Sequence, residues 1–257
     1  MPELPASVRL ALWTTRAWAG GLSVQEAVAR AVPDVDHVAG DLERLTVWQE
    51  LGEQALLVSL PAPGDLHGMP RASSAAQGAA ASAGECVFVP GLGGVLVPTI
   101  STFGSGSSAD GDPDTGTRVD WTAYDADPVP RHRVEALDAS QLERQLRGEL
   151  LAATAELEET GGQPFDREAA REMADTALGG HWGLPPGLPG RAAHVIALAG
   201  TVGRVVDVAL ASPDGGLSAG HSASREAHLR RLQRVADHAL SDATNAACAV
   251  LAGWRPD

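Results

Sequence analysis

Apolar residues change their spacing twice along this chain, and that change limits the fold more than any motif does. From Ala6 to Leu51, and again from Asp138 to Ala252, they recur every three or four residues, the interval of one helix face. Between Gln54 and Tyr124 they alternate or run in short blocks bounded by Gly and Pro, as strands do. The order predicts an α+β fold: N-terminal helices and a small antiparallel sheet of about four strands, then a helical half of about four helices. The division is expected near residue 134, giving regions 1–134 and 135–257, the second packed on the first.

Local signals place the elements. A first helix runs from Ala6 to Trp18, with Ser7 as its cap and Gly20-Gly21 as its stop. Ser23-Val24-Gln25-Glu26 is a capping box: Ser accepts from a free amide and Glu reaches back. Pro33 ends that short second helix, and a third is expected over Asp36–Leu51. Gln54–Leu60 reads as a strand. Cys86–Val89 and Val95–Val97 flank Gly91-Leu92-Gly93-Gly94 as a hairpin, and Arg118–Tyr124 is a further strand. Arg71–Gly84, nearly all Ala, Ser and Gly, fits a small-residue helix or a loop. Gly104–Gly116 is a Gly/Ser/Asp loop. Helices follow at Asp138–Glu159, Phe165–Leu178, Arg191–Leu210 and Ser222–Ala252, with a proline loop at Gly183–Gly190. Phe88, Val95, Leu96, Trp121, Leu146, Leu150 and Leu232 are expected in the core.

Composition removes several chemistries. All 19 basic residues are Arg; the chain has no lysine. That excludes a phosphate loop built on Lys, Schiff-base and pyridoxal chemistry, and kinases with a strand Lys. With Tyr124 as the single tyrosine, a Tyr-plus-Lys dehydrogenase pair is excluded too. A net charge of -14 argues against nonspecific binding to nucleic acid or an anionic membrane. Cys86 and Cys248 lie in apolar surroundings and read as buried thiols of a reducing compartment. With no leader-like segment and no run of about 18 apolar residues, a soluble cytoplasmic protein is expected.

The motifs each have a plain structural reading. Gly216-Leu217-Ser218-Ala219-Gly220 has the letters of a nucleophile elbow, but a helix, not a strand, precedes it. Gly91–Gly94 could cradle a phosphate on backbone amides; a strand follows it, where a dinucleotide fingerprint needs a helix. No two histidines stand four residues apart, so a metal site would have to be assembled from scattered groups such as His181, His194, His221 and Asp237. Residues 7–60 have the element order of a winged helix. Its third helix carries Asp36, Asp41, Glu43 and Glu50 against Arg44 alone and would repel phosphates.

The last helix carries the strongest functional signal. Leu229, Leu232, Ala236, Leu240, Ala243, Ala247 and Val250 form one apolar face. Arg231, Arg234 and His238 lie opposite as a stripe, with His228 at its border. These four are the expected ligand or partner site, suited to a protein or a small anionic ligand. Ion pairing to the acids of the middle helix, Glu156, Glu158 or Glu159, would consume the same charges. No catalytic residue, metal or cofactor is assigned. The reading is a non-catalytic regulatory or protein-interaction module. The alternatives are a metal-assisted hydrolase built from scattered His and Asp, and a winged-helix-like regulator with an effector-binding C-terminal half.

Overall fold

The computed structural model describes residues 4–104, 115–159, 183–211 and 219–256. Along them run α1 (Ala6–Trp18), α2 (Val24–Ala31), β1 (His37–Gly40), α3 (Glu43–Glu50), β2 (Leu57–Ser59), α4 (Ser74–Ala83), β3 (Cys86–Phe88) and β4 (Val95–Phe103). Then come β5 (Gly116–Tyr124), α5 (Arg131–Glu135), α6 (Ala139–Glu159), α7 (Gly190–Ala211) and α8 (Ala219–Leu251). The fold is α+β. The Gly104–Gly116 loop falls largely outside the described residues, as do the expected Phe165–Leu178 helix, Ser218 and His181.

Helix α1 has the expected bounds but a different start. Pro5 occupies the cap position, and Ser7 lies fully buried two residues on, within the first turn. The Ser23–Glu26 capping box forms in full. Arg71–Gly84 resolves to α4, capped by the Ser73 hydroxyl and closed by Gly84 in the left-handed conformation.

The sheet is five-stranded and mixed, in the order β1-β5-β4-β3-β2, where four antiparallel strands were expected. The added strand is β1, which lies parallel to β5 with His37 opposite Arg118. It takes the first residues of the expected Asp36–Leu51 helix, so α3 begins only at Glu43. Two aspartates fix it. Asp36 Oδ2 accepts from the Thr117 amide, and Asp41 Oδ2 from the Ala123 amide, both at 2.7 Å. Between them Gly40, at φ +95°, comes so close to Trp121 that a Cβ would sit 2.0 Å from its carbonyl oxygen. The strand also breaks the winged-helix order, because it separates α2 from α3.

The opposite edge strand, β2, is covered. Thr15 of α1 both accepts from the Leu56 amide and donates to the Leu56 carbonyl. Asn245 of α8 does the same for Val58, at 2.8 and 2.9 Å. Two side chains thus satisfy an edge that would otherwise invite pairing with another chain. They also join the sheet to the first and last helices.

A continuous core runs from α1 through the sheet into α7 and α8. Phe88, Val95, Leu96, Trp121 and Leu146 are buried, as expected. Leu150 and Leu232 are only partly so; Leu232 packs on a smaller cluster with Val206 and Leu229. In α8 the single apolar face describes only the first half. Ala243–Ala249 are buried on every side, because α8 passes there between β2, α1 and α7. Helix α7 is long and apolar enough to cross a membrane by length and composition, and it packs along α8.

Candidate functional site

The expected stripe on α8 is not one surface. Arg231 pairs on α6 with Glu156 at 3.5 Å, one of the acids expected for it, and more closely with Glu149 at 3.1 Å, which was not among them. His228 lies 3.9 Å from the same Glu156. His238 turns to the N-terminal region and meets Asp65 at 2.8 Å. Only Arg234 forms no ion pair among the described residues.

His238 belongs to a crossed pair of contacts. The segment after β2 contributes Asp65 and His67; α8 contributes His238 and Asp242 one turn apart. His67 Nε2 lies 3.2 Å from Asp242, and the two imidazole rings stack with centroids 3.9 Å apart. The Asp242 contact raises the His67 pKa above its ordinary value. Burial, then the neighbouring His67, lowers that of His238. Of the two stacked rings, each facing a carboxylate, His67 therefore keeps its proton to the higher pH. The donors pair off and do not converge on a point: among the described residues no three form a metal-ligand set. Of the metal candidates named from sequence, His194 lies 3.6 Å from Glu143 and Asp237 lines a cleft; the His221 side chain is outside the described residues.

Beside this clasp opens a cleft of about 670 Å3, hereafter the larger cleft. Its walls come from α1, the end of α4, the outer sheet, α7 and α8. The polar groups that decide its chemistry are Arg9, Glu85, Arg204, Asp207, Gln233 and Asp237. Arg9 is committed to Asp34 through both terminal nitrogens, while its Nε is buried without an acceptor. Glu85 is buried, accepts from the Ser7 amide at 2.6 Å, and is held above the usual carboxylate range by burial. Asp207 takes a hydrogen bond from Gln233 and is also raised by burial. Asp237 is pushed up to about 7, first by burial and then by the nearby charges of Asp207 and Asp65. Burial is the first cause for all three carboxyls; Arg9 offsets it at Glu85 and Arg204 at Asp207, while at Asp237 neighbouring carboxylates add to it.

Sequence reasoning missed this cleft. Asp237 was weighed as a metal ligand; Glu85 and Asp207 carried no signal, since no spacing joins α1, α4, α7 and α8. The clasp did leave one, the Asp65-x-His67 and His238-x-x-x-Asp242 spacings, which a search for paired histidines passes over. The buried thiols behave as read from their surroundings. Burial pushes Cys86 and Cys248 each up to about 12, so both stay protonated and unreactive.

Comparison with known families covers most of the chain. Residues 7–136 match the family described as Rv1486c-like protein, N-terminal domain, and residues 140–241 match Rv1486c-like protein, C-terminal domain. No curated protein and no solved structure matches.

Proposed function

This chain belongs to the Rv1486c-like protein family, and we propose that it works by binding, as a non-catalytic regulatory module that seats a small cationic ligand in the larger cleft. One observation carries the reading: Glu85, Asp207 and Asp237 share a cleft that both halves of the chain wall, and all three carboxyls hold their protons above the usual range. A ligand amine would bring positive charge to Asp237, whose neighbours Asp207 and Asp65 raise its pKa and which no cation among the described residues offsets. It would also bridge β-sheet side and helical side, so that its presence is read as a change in how firmly the two are joined. The sign of the ligand is opposite to the anion expected at Arg231 and Arg234.

The inert thiols and the commitment of His67 and His238 to carboxylates favour binding over bond-breaking chemistry. The test is calorimetric titration with putrescine, spermidine and arginine at pH 6 and pH 8. Because Asp237 titrates near 7, the cation must displace its proton, so affinity should rise with pH and the heat should depend on the buffer's ionisation enthalpy. Asp207→Asn with Asp237→Asn should abolish the response. Binding indifferent to both substitutions, or no binding by any amine, overturns the reading.

A further inference from the structure

The smaller cleft, about 420 Å3, has the opposite character. It lies between α3, the hairpin turn after β3, the start of α4 and the end of β5. Arg44, Trp48, Ser73, Gly94, Tyr124 and Asp125 define it.

The turn explains the cleft. Gly91-Leu92-Gly93-Gly94 has the glycine content of an anion cradle, and an anion does sit against its first half. The Glu53 carboxylate accepts from the Leu92 amide at 2.5 Å, and Gly91 lies so close that a Cβ would stand 2.9 Å from it. The second half faces the cleft. Gly94, at φ +149°, lies under the edge of the Trp48 indole, where a Cβ would come within 2.8 Å of the ring. Gly93 packs on the Ala126 carbonyl, and Ala126 bridges to Ala72, which sets Ser73 and the N-terminus of α4 beside the turn.

Donors prevail here. Trp48 is only 6% exposed as a residue, but its indole N–H keeps solvent contact and makes no hydrogen bond among the described residues. The Arg44 guanidinium and the Tyr124 phenol likewise make no hydrogen bond or ion pair among them. Arg44 and Trp48 stand four residues apart on α3, so both project from one face. Behind them lies the positive end of the ten-residue helix α4, where the Ser73 hydroxyl already accepts from the Ala76 amide. Asp125 is the one carboxylate of the cleft, and it is exposed. Three donors that meet no acceptor on the protein among the described residues, two of them on one helix face, suit a group that brings oxygen lone pairs. In a chain of net charge -14, a cleft of this kind selects its occupant by local field, against the global one.

We propose that the smaller cleft binds a small oxyanion, the phosphate or carboxylate group of a metabolite-sized molecule, with Arg44 and the Trp48 indole N–H as its side-chain donors and the start of α4 behind them. This stands independently of the amine reading of the larger cleft.

The test uses the whole chain and follows the indole N–H signals of its six tryptophans by nuclear magnetic resonance. Trp48→Phe identifies one signal; should that variant fail to fold, contacts of the ring with Gly94 identify it instead. Inorganic phosphate is titrated first, then citrate, each against chloride at matched ionic strength. The Trp48 signal is expected to move saturably. Arg44→Ala, an exposed change, should weaken the response roughly 10-fold or more, as loss of a charge-assisted bond does; Arg44→Gln serves if the first variant is unstable. A response to phosphate alone assigns a phosphate group, and one to citrate alone a carboxylate. A motionless signal, an equal shift with chloride, or a shift surviving both Arg44 variants overturns the proposal.

Discussion

The larger cleft gathers carboxyls from helices far apart in sequence, whereas the smaller gathers donors from residues 44–125 alone. The first exists only because α7 and α8 lie against α1 and the outer sheet. The second is complete within the strands and short helices of the N-terminal region. The difference is one of desolvation. Packing two halves together takes Glu85, Asp207 and Asp237 out of water, and burial raises their pKa values by more than Arg9 and Arg204 lower them. Folding one hairpin brings Gly94 under Trp48, on the face of α3 that also carries Arg44. A site between halves can report on their junction; a site within one half cannot.

The sharpest way to break this comparison is at the junction. Asn245→Leu keeps the volume but strips the Val58 amide and carbonyl of their partners. Two buried backbone groups left unsatisfied should cost roughly 2–5 kcal/mol in urea unfolding. Below the transition the variant should lose amine binding while the Trp48 indole still responds to phosphate. If both responses vanish together, the smaller cleft is not independent of the helices.

A second test acts on charge. Asp237 titrates near 7 in the folded chain and near 4 when unfolded, so folding retains a proton that unfolding releases. The stability tied to that proton is present below about pH 4 and is lost as pH rises through about 7. Asp237→Asn removes the loss. It should match the parent at pH 4.5 and exceed it by about 1–3 kcal/mol at pH 8, in urea unfolding at both values. Equal stability at pH 8 would mean that water or a cation already relieves the carboxyl, and the larger cleft would lose its distinguishing feature.

The local parts of this structure were legible in sequence, and the reasons are local. Helix α1, the Ser23 box, the hairpin around Gly91–Gly94 and the α6, α7 and α8 helices rest on spacing and caps within a few residues. Strand β1 did not, since its partner lies some eighty positions on, at Arg118–Trp121, and its own four residues show no alternation. The all-round burial of Ala243–Ala249 was hidden because small residues tolerate either face. At the sites, Arg44 was seen but judged by the acids near it on α3. What the helix pattern could not show is that Arg44 and Trp48 share a face with the turn glycines, which only the sheet brings beside them. The His238–Asp242 spacing was present, but its meaning depended on Asp65 and His67 arriving from the segment after β2.

The stripe on α8 should give the smallest effect, and that smallness separates it from both clefts. Arg231 is about half exposed, as is Glu149, so their pair sits in water and is screened by salt. Exposed pairs of this kind typically contribute about 0–1 kcal/mol. Arg231→Ala with Arg234→Ala should therefore lower stability by less than about 1 kcal/mol. A cycle of Arg231→Ala with Glu149→Ala should show weak coupling that fades in high salt. Amine binding and the phosphate response should both persist, because neither arginine lines a cleft. A loss of several kcal/mol would mean that α6 is locked to α8 by charge as well as by Leu146. Loss of phosphate response in this variant would move the anion site from Arg44 to the stripe and undo the separation between the two clefts.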